Sequence, residues 1–206
     1  MKKRNKPHKR TSEIIAGVIA NAEGDGNISV LEILELLGEK SFCLAILVLA
    51  LPNCLPIPNV LAYSALTGIP IIILAIQMTI GRNTLWLPNR IINYTFSRRK
   101  FTNFLITVLP YIRKIERIFY PRMFLISLHL TERLVGVAFL LLGIVLSLPI
   151  PFGNLLPGFA IAFIAIGLME RDGAMMTAGI LFGITSCFLI FTAFKALLIA
   201  VIGNIF

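Results

Sequence analysis

Three long apolar runs constrain this sequence more than any other feature. They extend from Ser41 to Ile80, from Leu134 to Met169 and from Ala174 to Phe206, and together they contain one charged residue, Lys195. Over the whole chain 57% of the residues are hydrophobic and 14% are charged, whereas roughly a quarter of a soluble domain is charged. Too few polar groups remain to cover such a surface in water. The sequence therefore predicts an all-α, polytopic membrane protein, because helices satisfy their own backbone groups in lipid.

The positive charge is concentrated in two short stretches. Of the 19 Lys and Arg residues, 6 lie in residues 1–10 and 9 lie in residues 82–122. Cytoplasmic segments carry an excess of Lys and Arg, so the N-terminus and the basic middle are both expected in the cytoplasm. The run between them must then enter the membrane and return. The chain is predicted to be a multi-pass protein of a bacterial inner membrane.

The expected partner of both basic stretches is the anionic surface of the bilayer. The residues after Arg98 alternate apolar and basic side chains in the manner of an interfacial amphipathic helix. The net charge of +9 does not predict a nucleic-acid partner, because aromatic residues are not interleaved with the cations on one face.

Short amphipathic helices are predicted ahead of the first apolar run. Thr11 or Ser12 is expected to cap one that ends before Asn21, and residues 24–27 read as a turn. A second helix is expected over residues 28–40, capped by Ser29 with Glu32 in a capping box.

The first two apolar runs are each broken by prolines. The breaks read PNCLPIPN at residues 52–59 and LPIPFGNLLPG at residues 148–158. A proline removes a backbone donor and clashes with the preceding turn, so a helix cannot continue through either break. The arm before the first break is about 12 residues, short of the roughly 20 that cross a bilayer.

The two broken runs resemble each other at a spacing of 93 residues. This shift places the first LPIP on the second, Glu39 on Glu132, Lys40 on Arg133 and Gln77 on Glu170. We therefore predict an internal repeat of Pro-broken helices, with copies that run parallel. The breaks are either re-entrant and meet inside the protein, as in transporters, or they are plain hairpin loops at the far membrane face.

The predicted organisation has five parts. A basic arm and a short helix (1–27) precede the first repeat with its lead-in helix (28–81). A basic cytoplasmic or interfacial segment (82–123) leads to the second repeat (124–173). One or two transmembrane helices (174–206) follow, two if the run bends near Ser186.

Polar residues and prolines at the heads, breaks and ends of the repeats are the candidate cavity or gating residues. They are Glu39, Glu132, Gln77, Glu170, Arg171, Asn53, Pro56, Asn59, Pro149, Asn154 and Lys195. The two glutamates at the repeat heads either bind protons or cations or are helix-end charges at the interface. The polar residues at the repeat ends either gate the same cavity or form an ordinary loop. The asparagines satisfy freed backbone groups or coordinate a ligand, and the lysine is a buried ion-pair partner or extends to a headgroup.

No sequence motif predicts catalysis, a cofactor or a metal. The chain has no GxSxG, P-loop or HExxH pattern and no paired carboxylates. Cys43, Cys54 and Cys187 lie in apolar runs without CxxC spacing, and His129 has no second ligand at metal spacing. The chain is therefore expected not to be an enzyme. A GxxxG pattern from Gly179 to Gly183 could seat a neighbouring helix.

Three stretches of the sequence resemble the ExoD-type exopolysaccharide synthesis proteins. They read GEKSFCLAILVLALPNCLPIPN, TGIPIIILAIQMTIGRNTLWLPNRI and LPIPFGNLLPGFAIAFIAIGLMERDG, and the similarity covers roughly residues 28–190. The LPNxLPxPN and GLxERDG elements are its most specific parts. The resemblance implies a small bacterial inner-membrane protein linked to exopolysaccharide production, and it implies no particular reaction.

Two functions from different classes remain open on the sequence. In the first, the repeats form a small intramembrane cavity that moves an ion, a proton or a lipid-linked precursor, with a homodimer as one way to complete so thin a bundle. In the second, the chain is a non-catalytic partner or regulator of the polysaccharide polymerase, flippase or export proteins.

Overall fold

The structure is a computed structural model and describes residues 11–20, 26–55, 61–82, 84–118, 128–148 and 153–205. Its helices are α1 (Thr11–Ala20), α2 (Val30–Leu37), α3 (Ser41–Ala50), α4 (Leu61–Ile80), α5 (Asn89–Ile92), α6 (Arg98–Ile118), α7 (Leu128–Ser147), α8 (Leu155–Glu170) and α9 (Gly173–Ile205). Two short strands are β1 (Asn27–Ser29) and β2 (Thr95–Ser97), and 3-10 turns lie at Gly38–Lys40 and Leu51–Cys54. The described chain is thus mostly helical, as predicted from the apolar runs.

The apolar core lies between two helix pairs that pack crosswise. We call α3 and α4 the first helix pair, and α7 and α8 the second helix pair. Among these four helices, the most extensive contacts join α4 to α7 and α3 to α8, while contacts within each pair are fewer. Ile46, Ile71, Phe139 and Ile164 are fully buried in this core. The two pairs therefore pack against each other, and α8 packs in addition against α9, as extensively as α4 packs against α7.

Small residues let these helices approach closely. A Cβ atom added at Gly136 would lie 2.6 Å from the Thr79 Oγ1 and 2.8 Å from the Thr79 amide nitrogen of α4. At Gly179 of α9 it would lie 2.8 Å from the Ile164 nitrogen of α8. Glycine is needed at both positions because the obstacle is neighbouring backbone. The GxxxG pattern predicted to seat a helix does so, since Gly183 also packs against Leu142 of α7.

Within the described parts of the chain, two helices are long and apolar enough to cross a membrane. They contain the spans Leu130–Ser147 in α7 and Gly173–Thr192 in α9, of which only 33% and 22% are buried inside the protein. The core helix of a soluble domain would be mostly buried. Outward-facing side chains such as Phe188 and Phe191, which are 65% and 68% exposed, fit a lipid environment instead. Shorter apolar helices are Ser41–Cys54, Leu66–Ile80 and Leu155–Glu170.

A polar layer joins the two segments that flank the first helix pair. Strand β1 precedes the pair, β2 follows it, and they form an antiparallel ribbon in which Ile28 lies opposite Phe96. Beside the ribbon, Arg98 forms an ion pair with Glu32 at 2.7 Å. Helix α1 packs against α6. The predicted interfacial helix therefore contacts the N-terminal one.

The structure corrects the sequence analysis at two places. Ile28 was assigned to a helix on its apolar spacing, but it lies in β1, so the fold is not purely helical. The last run is a single helix, α9, that continues past Ser186 to Ile205, so the alternative with a bend there is wrong. Ser29 caps α2 as predicted, accepting the Glu32 amide at 3.1 Å, although the Glu32 carboxylate pairs with Arg98.

Candidate functional site

A buried polar cluster joins three distant parts of the chain at the end of α8. The Thr11 hydroxyl donates a hydrogen bond to Oε1 of Glu170. Lys40 Nζ lies 2.9 Å from Thr11 Oγ1 and 3.5 Å from Glu170 Oε1. The Lys40 and Glu170 side chains are only 12% and 9% exposed. We call Thr11, Lys40 and Glu170 the α8-end cluster.

The position of Glu170 explains why it needs these partners. The last carbonyls of a helix carry partial negative charge, so a carboxylate there is disfavoured. A buried carboxylate also loses hydration unless it is paired and hydrogen-bonded. Lys40 and Thr11 supply both kinds of contact, and they tie the start of α1 and the start of α3 to the end of α8.

The two polar residues that follow Glu170 shape the turn between α8 and α9. Arg171 adopts the left-handed conformation (φ 56°) and its amide bonds the carbonyls of Gly167 and Leu168. Oδ1 of Asp172 accepts the amides of Ala174 and Met175 at 3.0 and 3.3 Å. Asp172 therefore caps α9, and the sequence between α8 and α9 is explained as a tight, capped turn.

Gln77, which the repeat aligns with Glu170, engages a different group. Its Nε2 donates to the Trp86 carbonyl at 3.1 Å, and its Oε1 accepts the Trp86 amide at 2.8 Å. Gln77 is 7% exposed. The Gln77 side chain thus bonds both the N–H and the C=O of Trp86, as a residue in a neighbouring strand would. These two bonds hold the segment after α4 against the end of the helix.

The cations at the heads of the two repeats occupy related places. Lys40 lies at the end of α8, in the other helix pair. The Arg133 guanidinium lies at the end of α4: a Cβ atom added at Gly81 would be 3.0 Å from its Nη2. Gly81 has φ 83°, a conformation that glycine adopts readily. Lys40, just before α3, thus reaches the end of α8, and Arg133 of α7 reaches the end of α4.

The structure describes the side chain of Glu132 but only the backbone of Glu39. Glu132 is half-buried in α7, and both it and Lys40 lie close enough to the buried Cys43 thiol to act on it electrostatically. Glu39 lies in the 3-10 turn between α2 and α3, and its side chain is outside the described residues. Lys195 is exposed on α9, which fits extension to a headgroup better than a buried ion pair.

The flanks of the two proline breaks touch each other. Asn53 is the second residue of the first break, is 1% exposed, and donates from Nδ2 to the Leu49 carbonyl at 3.1 Å and to Thr67 Oγ1 at 2.9 Å. A Cβ atom added at Gly158, the last residue of the second break, would lie 3.1 Å from the Asn53 backbone. Asn154 is buried at the start of α8, and its carbonyl accepts the Gly158 amide at 2.9 Å.

The Oδ1 atom of Asn53 is a buried acceptor without a hydrogen-bond partner in the part of the chain that the structure describes. Such atoms are rare, because burying an unpaired polar group costs about 1–3 kcal/mol. The other predicted residues of the breaks, Pro56, Asn59 and Pro149, lie outside the described residues.

The structure brings together residues that sequence reasoning did not combine. Thr11 was assigned only as a helix cap, yet it bonds Glu170, 159 residues away. No local pattern signals this contact. Trp86 was not singled out, although a lone Trp just beyond an apolar helix is a recognised mark of a membrane interface.

Comparison with known proteins gives one family. The family model described as "Exopolysaccharide synthesis, ExoD" matches residues 11–192. Protein ExoD of Rhizobium meliloti is 31% identical over 175 residues, which cover 83% of this chain and 72% of that protein. A protein of Synechocystis sp. described as uncharacterized is 33% identical over 158 residues, covering 76% of this chain and 74% of that protein. No solved structure matches the chain.

Proposed function

Because this chain belongs to the ExoD family of exopolysaccharide synthesis proteins, we propose that it is a multi-pass inner-membrane protein with a permeation role in that process. Its two crossed helix pairs surround a path for an ion, a proton or a lipid-linked precursor, and no catalytic reaction is involved. The observation that carries the proposal is the contact between the flanks of the two breaks at Asn53 and Gly158.

The contacts around the first helix pair support its entering and leaving on one side. Strands β1 and β2 lie immediately outside the pair and are hydrogen-bonded to each other. Residues that pair directly cannot lie on opposite faces of a bilayer roughly 30 Å thick. The intervening chain must therefore return to the face from which it started, and positive charge assigns that face to the cytoplasm.

The α8-end cluster supports the same arrangement for the second helix pair. Glu170 ends α8 and contacts Lys40 at the head of the first pair. Helix α7 follows α6, which packs against α1. Both pairs then open toward the cytoplasm, and α9 crosses away from it. This direction agrees with parallel copies of an internal repeat.

The crossed packing supports a repeat built around a pseudo-twofold axis. Helix α3 contacts α8 and α4 contacts α7, while Lys40 and Arg133 extend to the ends of α8 and α4. Backbone freed by a proline break at membrane depth needs protein or a water-filled cavity around it. Two breaks that meet can cover each other, and the free Asn53 Oδ1 supplies an acceptor at that point.

The experiment is a flux measurement on the full-length protein in sealed proteoliposomes. Proton, cation and lipid-probe movement would be compared with protein-free vesicles and with the variants Asn53→Leu and Glu132→Gln. We expect both substitutions to reduce the flux. Glu35→Gln is the matched control, because Glu35 is exposed on α2. Thermal melting would verify that each variant is folded, and vesicles as tight as protein-free ones for every probe would overturn the proposal.

The alternative is a non-catalytic partner of the polysaccharide polymerase, flippase or export proteins. The observation in its favour is the apolar surface left on α2, where Leu31 and Leu36 are 42% and 40% exposed. A photocrosslinker placed at Leu31 or Leu36 in cells would capture one large protein under this alternative. A crosslinker at Ile180, exposed on α9, is the control for random membrane contacts. Crosslinks only to other copies of the chain would argue against the alternative and support a homodimer.

A further inference from the structure

Large apolar side chains are unusually exposed in the chain just after α4. Trp86 is 54% exposed, Ile91 48%, Tyr94 60% and Phe96 43%. The Tyr94 and Phe96 rings also contact each other edge to face, with centroids 5.0 Å apart. Four such side chains within eleven residues form more apolar surface than a loop in water usually exposes.

The same stretch carries only positive charge. No Asp or Glu occurs between Gly81 and Ile115. Arg82, Arg90, Arg99 and Lys100 are exposed, and among the described residues Arg98 is the one cation of this stretch in an ion pair, with Glu32. A surface that combines exposed aromatic rings with unneutralised cations complements the headgroup layer of an anionic membrane, where rings and cations are both stabilised.

This stretch is held at the end of the apolar bundle by specific hydrogen bonds. At one end, Gln77 of α4 binds both backbone groups of Trp86. At the other end, the Tyr94 carbonyl accepts the Val30 amide at 3.0 Å, and the Gly26 carbonyl accepts the Arg98 amide at 3.0 Å. The exposed rings therefore belong to a segment fixed next to the helix end that leaves the membrane.

We propose that residues 82–100, which we call the anchor segment, bind anionic lipid headgroups. The Trp86 and Tyr94 rings lie at headgroup depth, and Arg90, Arg99 and Lys100 contact lipid phosphates. The charge pattern alone predicts contact of the basic middle with anionic lipid, and the exposed Trp86 and Tyr94 rings add an aromatic contact at headgroup depth. It goes beyond the proposed function and does not depend on whether anything passes through the bundle.

Trp86 is the single tryptophan of the chain, so its fluorescence reports on the anchor segment alone. The full-length protein would be reconstituted into vesicles of phosphatidylcholine with or without phosphatidylglycerol. Quenching would be compared for lipids brominated near the headgroup, for lipids brominated near the chain end, and for acrylamide in water. We expect headgroup-proximal bromines to quench most in the anionic vesicles, and acrylamide to quench more in the zwitterionic ones. High salt should reduce the difference, because exposed charges are then screened.

A triple variant, Arg90→Gln, Arg99→Gln and Lys100→Gln, tests the role of charge. Each cation near an anionic surface is worth roughly a fivefold change in binding, so the variant should lose most of the dependence on anionic lipid. The matched control neutralises Lys2, Lys3 and Arg4, which removes the same charge elsewhere and should leave Trp86 quenching unchanged. Unchanged quenching in the first variant would overturn the proposal.

Two other results would also overturn it. Equal acrylamide quenching with and without anionic lipid would mean that Trp86 remains in water. If Trp86 is protected from acrylamide only in native membranes, and not in pure lipid, the exposed surface binds a protein partner instead. Flux measured on the same vesicles keeps this outcome separate from that of the permeation proposal.

Discussion

The ends of α4 and α8 are aligned by the predicted 93-residue spacing but bind different parts of the chain. At the end of α4, Gln77 binds the Trp86 backbone nine residues later. At the end of α8, Glu170 binds Thr11 and Lys40, which are 159 and 130 residues earlier. The end of α4 therefore holds a segment that is near in sequence, whereas the end of α8 holds residues from the N-terminal part of the chain.

Gln77 and Glu170 differ in a single side-chain atom, an amide nitrogen in place of a carboxylate oxygen, and this difference decides which groups each residue binds. A glutamine offers a donor and an acceptor, which match one peptide unit. A glutamate offers acceptors only and brings a charge that requires a cation. A cation lies near each end, but only Lys40 is within ion-pair distance of a carboxylate there, while Arg133 packs over Gly81.

The largest expected effect tests whether the two interfaces between the helix pairs are packed equally. An added Cβ would meet backbone at 2.8 Å at Gly136, where α7 contacts α4, but at 3.1 Å at Gly158, where α8 contacts Asn53 in the 3-10 turn that follows α3. We expect Gly136→Ala to lower the free energy of unfolding by about 3 kcal/mol and Gly158→Ala by about 1 kcal/mol. Denaturant titration in detergent micelles measures both.

Gly17→Ala is the control for that pair, because nothing lies within 4 Å of a Cβ added there. It should be neutral or slightly stabilising, since alanine favours a helix over glycine. Equal losses at Gly136 and Gly158 would mean that the two interfaces are equivalent after all.

The next effect concerns the charge at the end of α8. Lys40→Met leaves the Glu170 carboxylate without its cation, and we expect a loss of about 2 kcal/mol in unfolding free energy, below the full cost of a deeply buried pair. Lys195→Met is the matched control, because that lysine is exposed on α9 and should change stability little. If Lys40→Met and Lys195→Met behave alike, the cluster does not stabilise the fold.

A smaller effect is expected at the end of α4. Gln77→Ala removes both hydrogen bonds to Trp86 and should cost about 1–2 kcal/mol. Gln77→Glu copies the residue at the end of α8 and keeps an acceptor for the Trp86 amide, but it places a charge at a buried helix end and an oxygen against the Trp86 carbonyl, so its loss should be at least as large as that of Gln77→Ala. The local readout is a red shift of Trp86 fluorescence, which Glu170→Gln should not produce. A red shift in Glu170→Gln would show that the two ends are coupled.

The smallest effect concerns the ion pair beside the ribbon. The Glu32 and Arg98 side chains are 42% and 21% exposed, and exposed pairs contribute only about 0.2–1 kcal/mol. Glu32→Gln should therefore shift the unfolding midpoint slightly, and the shift should disappear in high salt. A loss as large as that of Lys40→Met would contradict the distinction between exposed and buried pairs.

Features set by local spacing could be predicted from the sequence. The Ser29 cap follows from its position relative to Glu32, and the proline breaks end helices wherever they occur. The predicted 93-residue spacing aligns Gln77 with Glu170, and both residues lie in the last turn of an apolar helix and bind other segments. The family was recognised because its motifs are short and uninterrupted in the sequence.

Features that depend on distant residues could not be predicted in this way. Ile28 looked helical because its apolar spacing continues that of α2, and its strand partner Phe96 lies beyond the whole first helix pair. The assignment of Thr11 as a cap used only its neighbours, although its hydroxyl binds a carboxylate near the other end of the chain. Amphipathic patterns likewise indicated surfaces at α1 and α6 without indicating that the two helices contact each other.

The bond between Thr11 and Glu170 has a consequence for the order of events during synthesis. The two residues are separated by 159 positions. A ribosome that adds 5–20 residues per second takes roughly 10–30 s to synthesise this length of chain. During that interval α1 exists without the contact that fixes its first residue, although both helices of the first helix pair have already been synthesised. The N-terminal helix is thus among the first parts made and among the last to be secured, and an insertion factor or the lipid surface has time to act on it before the chain closes.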